Sequence, residues 1–577
     1  MKKSLLALAG VALICGGMRP TDDLDAFIET QMARRQIVGL SLAIIDDGRI
    51  AETRVYGTTT RGGSVRVTPN TLFQAGSISK PVAALGALQL VQAGKLALDD
   101  DVNTKLTSWR VPDNDFTKAE RVTLRRLLSH TAGLTVHGFP GYDVGQTVPS
   151  VPDVLDGKGN TPPVRVNLVP GTTWRYSGGG YTVMQLLTSD LTGKSFPEYM
   201  RDNVLQPLGM TNSTYAQPLP ADWAARTATG YYADRREVAG RWHVYPEMAA
   251  AGLWTTPTDL AKYAIGVQQA LAGKSRVLTA EMARQMLTEQ KGSYGLGPGV
   301  AGSGPTLRFS HGGRDAGFDA FLVAYAESGD GLAIMINAND NSRAVSRIIN
   351  FIARKYNWPE YPQPKPEEVT AVSIAPPVLA SVAGRYEFQN NNMMTLIAEN
   401  GRIFVDVNGL PDEEFVAAAD QRFVSRDRPV SFKLVRNTAG EVEAIEWTQN
   451  NATRKIPRLG PLFSVPATSS TDPNVQLTRN VLTALQQMSQ GGTAVSESQV
   501  FTEGARKVFT PANPALRGAG GAEHVLTQDV SGRGVERHGH GIARVVHYRI
   551  STAEGPRLLL VHVDANGLIA DYDLVDR

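Results

Sequence analysis

The order of apolar and polar positions predicts alternating helices and strands over the first part of the chain. Four early positions fall at helical spacing: Leu24, Phe27, Ile28 and Met32. Four later runs predict strands: residues 39–45, 49–56, 320–325 and 331–337. The first two strands flank an Asp47-Gly48 turn, and a helical pattern over residues 343–356 follows the last. If the first and last strands share one sheet, the segments between them are brought to its edge.

The pattern changes after residue 360. Prolines at positions 362, 364, 366, 376 and 377 predict a stiff linker over residues 361–377. Short strands and turns then alternate over residues 378–460, which predicts a small β-barrel or sandwich. After a break rich in Pro, Ser and Thr, a helix and a hairpin-like end predict a small α+β module over residues 475–577. The predicted fold class is α+β, with a first domain over residues 22–360.

Composition narrows the class of protein. At 577 residues the chain is too long for one core and suggests about three domains. An apolar share of 42% and a charged share of 20% are those of an ordinary soluble globular protein. A net charge of +2 provides no basic field, so no nucleic-acid partner is expected.

The first 17 residues have the pattern of a secretory signal. A basic start, Met1-Lys2-Lys3, precedes an apolar run over residues 4–14 and two small residues at positions 16 and 17. The apolar run is too short to span a bilayer, so we expect cleavage, no transmembrane helix afterwards, and a periplasmic or secreted protein. The single cysteine, Cys15, offers a lipoprotein alternative, but Ile14 precedes it where such signals carry a small residue.

Ser77 and Lys80 form the most informative pair in the chain. No other serine is followed by a lysine three residues later. Positions i and i+3 of a helix share one face, with Cβ atoms roughly 5–6 Å apart. Serine needs an adjacent base to act as a nucleophile, and a dehydrated lysine can be that base. The alternative is that Ser77 caps a helix and Lys80 is a solvated residue in its first turn.

Three further segments favour the chemical interpretation. They are residues 128–134 (LSHTAGL), 170–178 (PGTTWRYSG) and 309–318 (FSHGGRDAGF). Together with Ser77 and Lys80 they resemble the serine β-lactamase and penicillin-binding-protein superfamily over about residues 22–360. The branch indicated is the class C β-lactamase-like one, with its esterases, D-aminopeptidases and D-stereospecific peptidases. The resemblance implies an antiparallel sheet flanked by helices, with a lipocalin-like small barrel behind it.

The resemblance also implies catalytic roles. Ser77 would attack a carbonyl and become acylated, with Lys80 and Tyr176 as the base system. A phenol titrates near pH 10, so Tyr176 would need a neighbouring positive charge, which Lys80 would supply. The oxyanion hole would be the backbone N–H groups of Ser77 and Arg314. His130 would shape the loop below the site.

Two departures from the family pattern bear on substrate binding. The tyrosine motif ends in Gly178 where the family has asparagine, and this loss is expected to widen the site. The Lys-Thr-Gly triad of β-lactamases is His311-Gly312-Gly313, and a mostly neutral histidine anchors a carboxylate poorly at pH 7. The two glycines would let the strand approach the substrate. Both departures point away from a dedicated β-lactamase.

The leading hypothesis is an exported serine hydrolase acting on small esters or on amides and peptides of the D-amino-acid type. A β-lactamase or D,D-carboxypeptidase is the alternative with the same chemistry. A catalytically silent relative that binds peptidoglycan fragments or a protein is the alternative from another class. No cofactor and no metal are expected, since acyl transfer by this route uses protein groups alone. The substrate itself, the oligomeric state and the role of the two C-terminal domains stay open.

Overall fold

The computed structural model describes most of the chain from Asp23 onward. The described residues are 23–232, 235–340, 343–361, 367–387, 393–399, 402–407, 411–426, 428–449, 452–460, 474–509, 516, 518–531, 536–537, 540–552 and 555–575. The predicted signal segment, Cys15 and the break at residues 464–473 lie outside these ranges. No helix among the described residues combines the length and the apolar character that crossing a membrane requires.

The first domain is organised around an antiparallel sheet. Its described strands are β1 (Gly39–Asp46), β2 (Arg49–Gly57), β3 (Phe73–Gln74), β4 (Tyr142–Asp143), β5 (His243–Val244), β6 (Trp254–Thr255), β7 (Gly299–Ala301), β8 (Arg308–Asp315), β9 (Phe318–Tyr325) and β10 (Gly331–Ile336). Six of them form one sheet in the order β2-β1-β10-β9-β8-β7. Strand β1 pairs with β10, with Leu40 opposite Ile336, so the first and last of the strands predicted from the sequence share one sheet.

Helices cover both faces of this sheet. They are α1 (Asp23–Arg35), α2 (Ser79–Gln92), α3 (Asp115–Ala119), α4 (Leu124–Leu128), α5 (Val151–Leu155), α6 (Gly178–Thr192), α7 (Phe196–Met200), α8 (Ala221–Ala224), α9 (Met248–Ala251), α10 (Pro257–Leu271), α11 (Ala280–Leu287) and α12 (Arg343–Lys355). Alternate residues of β1 point to opposite sides. Leu42 packs in the core with α1 and α12, whereas Ala43 packs in the larger core that contains α2, α6 and α10.

Helix α2 lies deep in the larger core because it is apolar on nearly every side. Eleven of its fourteen residues are buried, including Lys80. This placement brings the turn just before α2, residues 76–78, against strand β8, which carries His311 and Arg314.

A short helix and a closed barrel follow. The helix is α13 (Pro376–Val382), and the strands are β11 (Gly384–Glu387), β12 (Met393–Glu399), β13 (Arg402–Val407), β14 (Pro411–Ala417), β15 (Phe423–Ser425), β16 (Val430–Arg436), β17 (Val442–Gln449) and β18 (Ala452–Gly460). Pro376 and Pro377, predicted as the end of the linker, instead begin α13, because proline fits the first turn of a helix.

The C-terminal module packs helices on a four-stranded sheet. Its elements are α14 (Val475–Gln490), α15 (Thr493–Ser496), α16 (Glu503–Phe509), β19 (Gly520–Asp529), β20 (Glu536–Arg537), β21 (His540–Gly541), β22 (Arg544–Thr552), β23 (Gly555–Val563) and β24 (Ile569–Val575). The sheet order is β19-β22-β23-β24. The predicted α+β class, with an antiparallel sheet flanked by helices in the first domain and a small barrel after it, is confirmed.

Candidate active site

A tight turn carries Ser77 into the site. Strand β3 ends at Gln74, and a 3-10 turn over Gly76–Ile78 leads directly into α2. Gly76 has a φ of +51°, and its N–H donates to Asp315 Oδ2 at 3.2 Å. A Cβ added at Gly76 would lie 2.3 Å from the backbone nitrogen of Arg314. Glycine at position 76 therefore lets the Ser77 turn rest against the end of β8.

Lys80 lies beside Ser77 with its charge removed from water. Its Nζ is 2.9 Å from Ser77 Oγ and donates to the carbonyl oxygen of Ala250 at 2.8 Å. The side chain is 1% exposed. Burial lowers the pKa of Lys80 to about 7, against a smaller opposing effect of Asp315. Close to half of the lysine is therefore neutral at pH 7 and able to accept a proton.

Tyr176 completes the group around Ser77. Lys80 Nζ lies 4.9 Å from its ring centroid, and its hydroxyl is near enough to the Ser77 side chain for that side chain to affect its pKa. Burial raises the pKa of Tyr176 above its usual value, and a smaller effect of the Ser77 side chain opposes that rise. The expected lowering of this pKa by Lys80 is wrong: burial dominates, and Lys80 is not among the groups that shift the pKa of Tyr176. Tyr176 thus stands in the site as a neutral phenol that can donate a hydrogen bond.

The ring of His130 packs against the ring of Tyr176. The two ring centroids are 4.2 Å apart, and the His130 Nδ1 accepts a hydrogen bond from the Ser177 N–H at 3.1 Å. Burial, with a smaller effect of Lys80, lowers the pKa of His130 well below its usual value. The sequence predicted a loop-shaping residue, and the structure adds direct ring contact with Tyr176.

His311 faces the same group from β8. It is 5% exposed, and its Nδ1 lies 2.6 Å from the carbonyl oxygen of Gly312, to which it donates. Burial, helped by Lys80, lowers the pKa of His311 to about 3. The imidazole is therefore neutral near pH 7 and supplies no cation for a substrate carboxylate.

The two glycines after His311 differ in their surroundings. A Cβ on Gly313 would lie 1.9 Å from the carbonyl oxygen of Ala75, whereas a Cβ on Gly312 would make an ordinary 3.5 Å contact with Phe321. Gly313 therefore permits β8 to approach the Ser77 turn, and Gly312 does not take part in that approach. Gly312 lies exposed beside the site.

The two backbone amides that the family resemblance assigns to an oxyanion hole belong to segments that lie against each other. Ser77 stands in the first turn of the 3-10 segment, where an N–H has no acceptor within the helix. The Arg314 nitrogen abuts Gly76, the residue before Ser77. The Arg314 side chain turns to Asp319, with Nε 2.8 Å from Oδ1. Its charge is thus committed to that ion pair.

Gly178 does not widen the site as the sequence suggested. A Cβ on this residue would lie 2.9 Å from Phe139 Cε2 and 3.0 Å from the carbonyl oxygen of His137. The segment that contains His137 and Phe139 occupies the space beside Gly178. A larger residue at this position would have to displace that segment, because Gly178 begins α6 in direct contact with it.

Sequence reasoning missed several groups near Ser77. Asp315 is buried and tied to Gly76, and the carbonyl of Ala250 binds Lys80. Glu247 is fully buried, its two carboxyl oxygens have no hydrogen-bond partner among the described residues, and burial raises its pKa to about 8. No local pattern marks these residues, since distant segments bring them to the site. The described residues hold no group of three or more metal-ligating side chains.

The comparison with known families agrees with this geometry. The model of the family described as Beta-lactamase matches residues 24–354, more than half of the chain. The chain belongs to the Beta-lactamase family. This family membership confirms the superfamily predicted from the four motifs, and it places the protein within a superfamily of serine hydrolases.

Two curated relatives of this Beta-lactamase family member carry names of penicillin-binding proteins. Penicillin-binding protein 4 of Amycolatopsis lactamdurans is 27% identical over 368 residues, which cover 61% of this chain and 93% of that protein. Penicillin-binding protein 4* of Bacillus subtilis (strain 168) is 22% identical over 453 residues, covering 72% of this chain and 94% of that protein.

A solved structure extends the similarity of this family member beyond its first domain. The octameric penicillin-binding protein homologue from Pyrococcus abyssi matches with a TM-score of 0.52 at 21% identity. The match covers 75% of this chain and 99% of that one. At this identity the similarity shows the fold alone.

Proposed function

We propose that this protein is an exported serine hydrolase that forms an acyl-enzyme on Ser77 with small esters or with amides and peptides of the D-amino-acid type. The 2.9 Å approach of Lys80 Nζ to Ser77 Oγ carries this proposal. Because the pKa of Lys80 is lowered to about 7, its amine is a base of suitable strength near neutral pH.

Acylation follows from the positions of these groups. Ser77 Oγ attacks the substrate carbonyl while its proton passes to Lys80 Nζ. The N–H groups of Ser77 and Arg314 bind the oxyanion of the tetrahedral intermediate. Tyr176, a neutral phenol beside Ser77 and Lys80, donates its proton to the departing alkoxide or amine and regains one from the Lys80 ammonium.

Deacylation uses the same groups in reverse. Water adds to the acyl carbonyl and gives a proton to Lys80, again with the two amides on the oxyanion. The tetrahedral intermediate then expels Ser77 Oγ, which takes a proton back, and the carboxylic acid product leaves. Acylation and deacylation, each taken as a whole, return Lys80 and Tyr176 to their starting protonation.

The charges around Ser77 favour substrates without a free carboxylate at the binding strand. His311 is buried and neutral, and the Arg314 guanidinium is paired with Asp319. A β-lactam or a D-alanyl-D-alanine peptide would bring a carboxylate for which neither His311 nor Arg314 offers an available cation. This supports esters and D-amino-acid amides, while the names of the curated relatives make penicillin binding the second candidate.

The proposal that the protein is exported depends on the amino-acid sequence alone. The basic and apolar segments over residues 1–17 support a cleaved signal and a periplasmic or secreted location. Intact mass of the protein recovered outside the cytoplasm would test this. Loss of the first 17 residues supports the proposal, and an unprocessed cytoplasmic chain contradicts it.

The test of the chemistry is intact-protein mass and turnover with three probes, each paired with Ser77→Ala. The probes are p-nitrophenyl acetate, a D-alanyl p-nitroanilide and benzylpenicillin. We expect an adduct or turnover with the ester or the D-amide that Ser77→Ala lowers at least a thousandfold, with an unchanged thermal midpoint. A hydroxyl-to-hydrogen change at this site leaves the packing of the turn intact, so lost activity would report chemistry.

The other outcomes are equally informative. A long-lived penicilloyl adduct on Ser77 would replace the proposal with penicillin binding, and rapid penicillin turnover would indicate a β-lactamase. No Ser77-dependent reaction with any probe, or with a fluorophosphonate, would favour a silent binding relative.

A further inference from the structure

Three imidazoles surround the ring of Tyr176. The centroids of His130, His137 and His311 lie 4.2, 4.8 and 6.2 Å from that of Tyr176. His130 and His311 are buried, and each uses Nδ1 in a bond to the protein backbone. His137 is exposed.

His137 differs from the other two in its hydrogen bonding. Neither of its ring nitrogens bonds to any residue in the described part of the chain. Burial of part of the ring, together with Lys80, lowers the pKa of His137, so the imidazole is neutral at pH 7. A neutral imidazole offers one donor and one acceptor. Both are available to a molecule that enters beside Tyr176.

The backbone around His137 is held firmly against α6. The N–H of Gly178 donates to the carbonyl oxygen of His137 at 3.0 Å, and the N–H of Gly179 donates to that of Val136 at 3.1 Å. Ser177 Oγ donates to the carbonyl oxygen of Thr135 at 2.7 Å. Three consecutive residues are thus tied to the start of the helix that follows Tyr176.

The backbone of Val136 also indicates that surrounding contacts fix the conformation of the segment that contains His137. Its φ is +62°, in the left-handed region that β-branched residues avoid. Strained backbone of this kind persists where surrounding contacts over-determine it, and it clusters at functional sites. Here the strained residue directly precedes the imidazole that is presented to solvent.

We propose that His137 is a substrate-contacting residue that hydrogen bonds to an amide or other polar group adjoining the scissile carbonyl. This inference rests on the proposed acyl-transfer function. It narrows the substrate class to acyl groups that carry such a polar group, as an N-acylated or peptide-linked D-amino acid does. A bare acetyl group offers nothing for His137 to bind.

A matched pair of esters tests this. N-acetyl-D-alanine p-nitrophenyl ester and p-nitrophenyl acetate share a leaving group, and only the first carries an amide beside the scissile carbonyl. The measured quantity is the ratio of kcat/KM for the first ester to kcat/KM for the second. We expect His137→Phe, which keeps a ring against Tyr176 but removes both nitrogens, to lower that ratio at least tenfold. The ratio in His137→Gln, which keeps a hydrogen-bonding side chain, should be at least a third of the wild-type ratio.

The control is His524→Phe, which makes the same change on strand β19 in the C-terminal module and should leave the ratio unchanged. A ratio within threefold of wild type in His137→Phe would overturn the inference. So would an equal loss on both esters in His137→Phe and His137→Gln, which would indicate a structural role. Absence of Ser77-dependent turnover in the wild type would instead overturn the proposed function, and the inference with it.

Discussion

The low pKa of Lys80 is a result of its buried surroundings. Alone, the side chain would carry a full charge near neutral pH, since its ordinary pKa is 10.5. The fold leaves it 1% exposed, with Ser77 Oγ and one carbonyl oxygen as its hydrogen-bond partners. Removal from water favours the neutral amine, and neighbouring Tyr176 is driven by the same effect toward its neutral phenol. One desolvated pocket thereby holds a base and a proton donor side by side.

The pH dependence of acylation should follow Lys80. Its active form is the neutral amine and its pKa is lowered to about 7, so kcat/KM should rise with pH and reach half its plateau near pH 7. The measurement is the profile for p-nitrophenyl acetate between pH 4 and 9, with Ser77→Ala subtracted as background. His311, whose pKa is about 3, cannot produce a midpoint there. A flat profile from pH 5 to 9 would exclude Lys80 as the base.

At the scale of elements, the site depends on how closely β8 meets the Ser77 turn. Gly76 and Gly313 face each other across this contact, where a Cβ on either would strike backbone atoms. The sequence pattern marked the glycines of β8 as permissive, without distinguishing the two. The structure shows that Gly313 makes the contact, while Gly312 faces the exposed side.

Alanine substitutions at these glycines should separate their roles. Gly313→Ala places a Cβ 1.9 Å from the Ala75 carbonyl oxygen and should destabilise the protein by about 1–3 kcal/mol, because backbone on both sides must shift. Gly312→Ala meets Phe321 at 3.5 Å and should change the free energy of unfolding by less than about 0.5 kcal/mol. Chemical denaturation measures both. Equal effects of the two substitutions would contradict the tight approach of β8.

At the scale of the whole molecule, the pairing of β1 with β10 joins the two ends of the first domain in one sheet. The barrel and the C-terminal module follow in the chain and form sheets of their own. The first domain contacts the barrel through the Arg34–Glu414 ion pair, 3.3 Å long. The first domain also buries two ionisable side chains, and the pH at which each is neutral in water differs between them. Lys80 is accommodated best when neutral at high pH, and Glu247 when neutral at low pH.

Glu247 should make the protein less stable as pH rises. Its pKa is raised from 4.5 to about 8, so between these values the unfolded chain releases a proton that the native state retains. The free energy of unfolding should therefore fall by up to about 1.4 kcal/mol per pH unit in this window. Lys80 contributes little below pH 7, since it is then protonated in both states.

Glu247→Gln, which cannot titrate, supplies the comparison. Its free energy of unfolding relative to wild type should increase between pH 5 and pH 7 by on the order of 2 kcal/mol. Denaturant titrations at both pH values measure this difference. A difference that stays constant between the two pH values would show that the carboxyl is not held neutral in the native protein.

The sequence by itself determined what depends on neighbours along the chain. Spacing placed Ser77 and Lys80 on one helical start, the Asp47-Gly48 turn joined two strands, and four ordered motifs identified the family. These features are local, so periodicity and turn chemistry suffice to predict them. Tertiary structure decided what depends on distant segments: the lowered pKa of Lys80, the raised pKa of Tyr176, and the crowding of Gly178 by the loop of His137. Burial and close approach arise only when segments far apart in the chain exclude water together, and no local pattern records that.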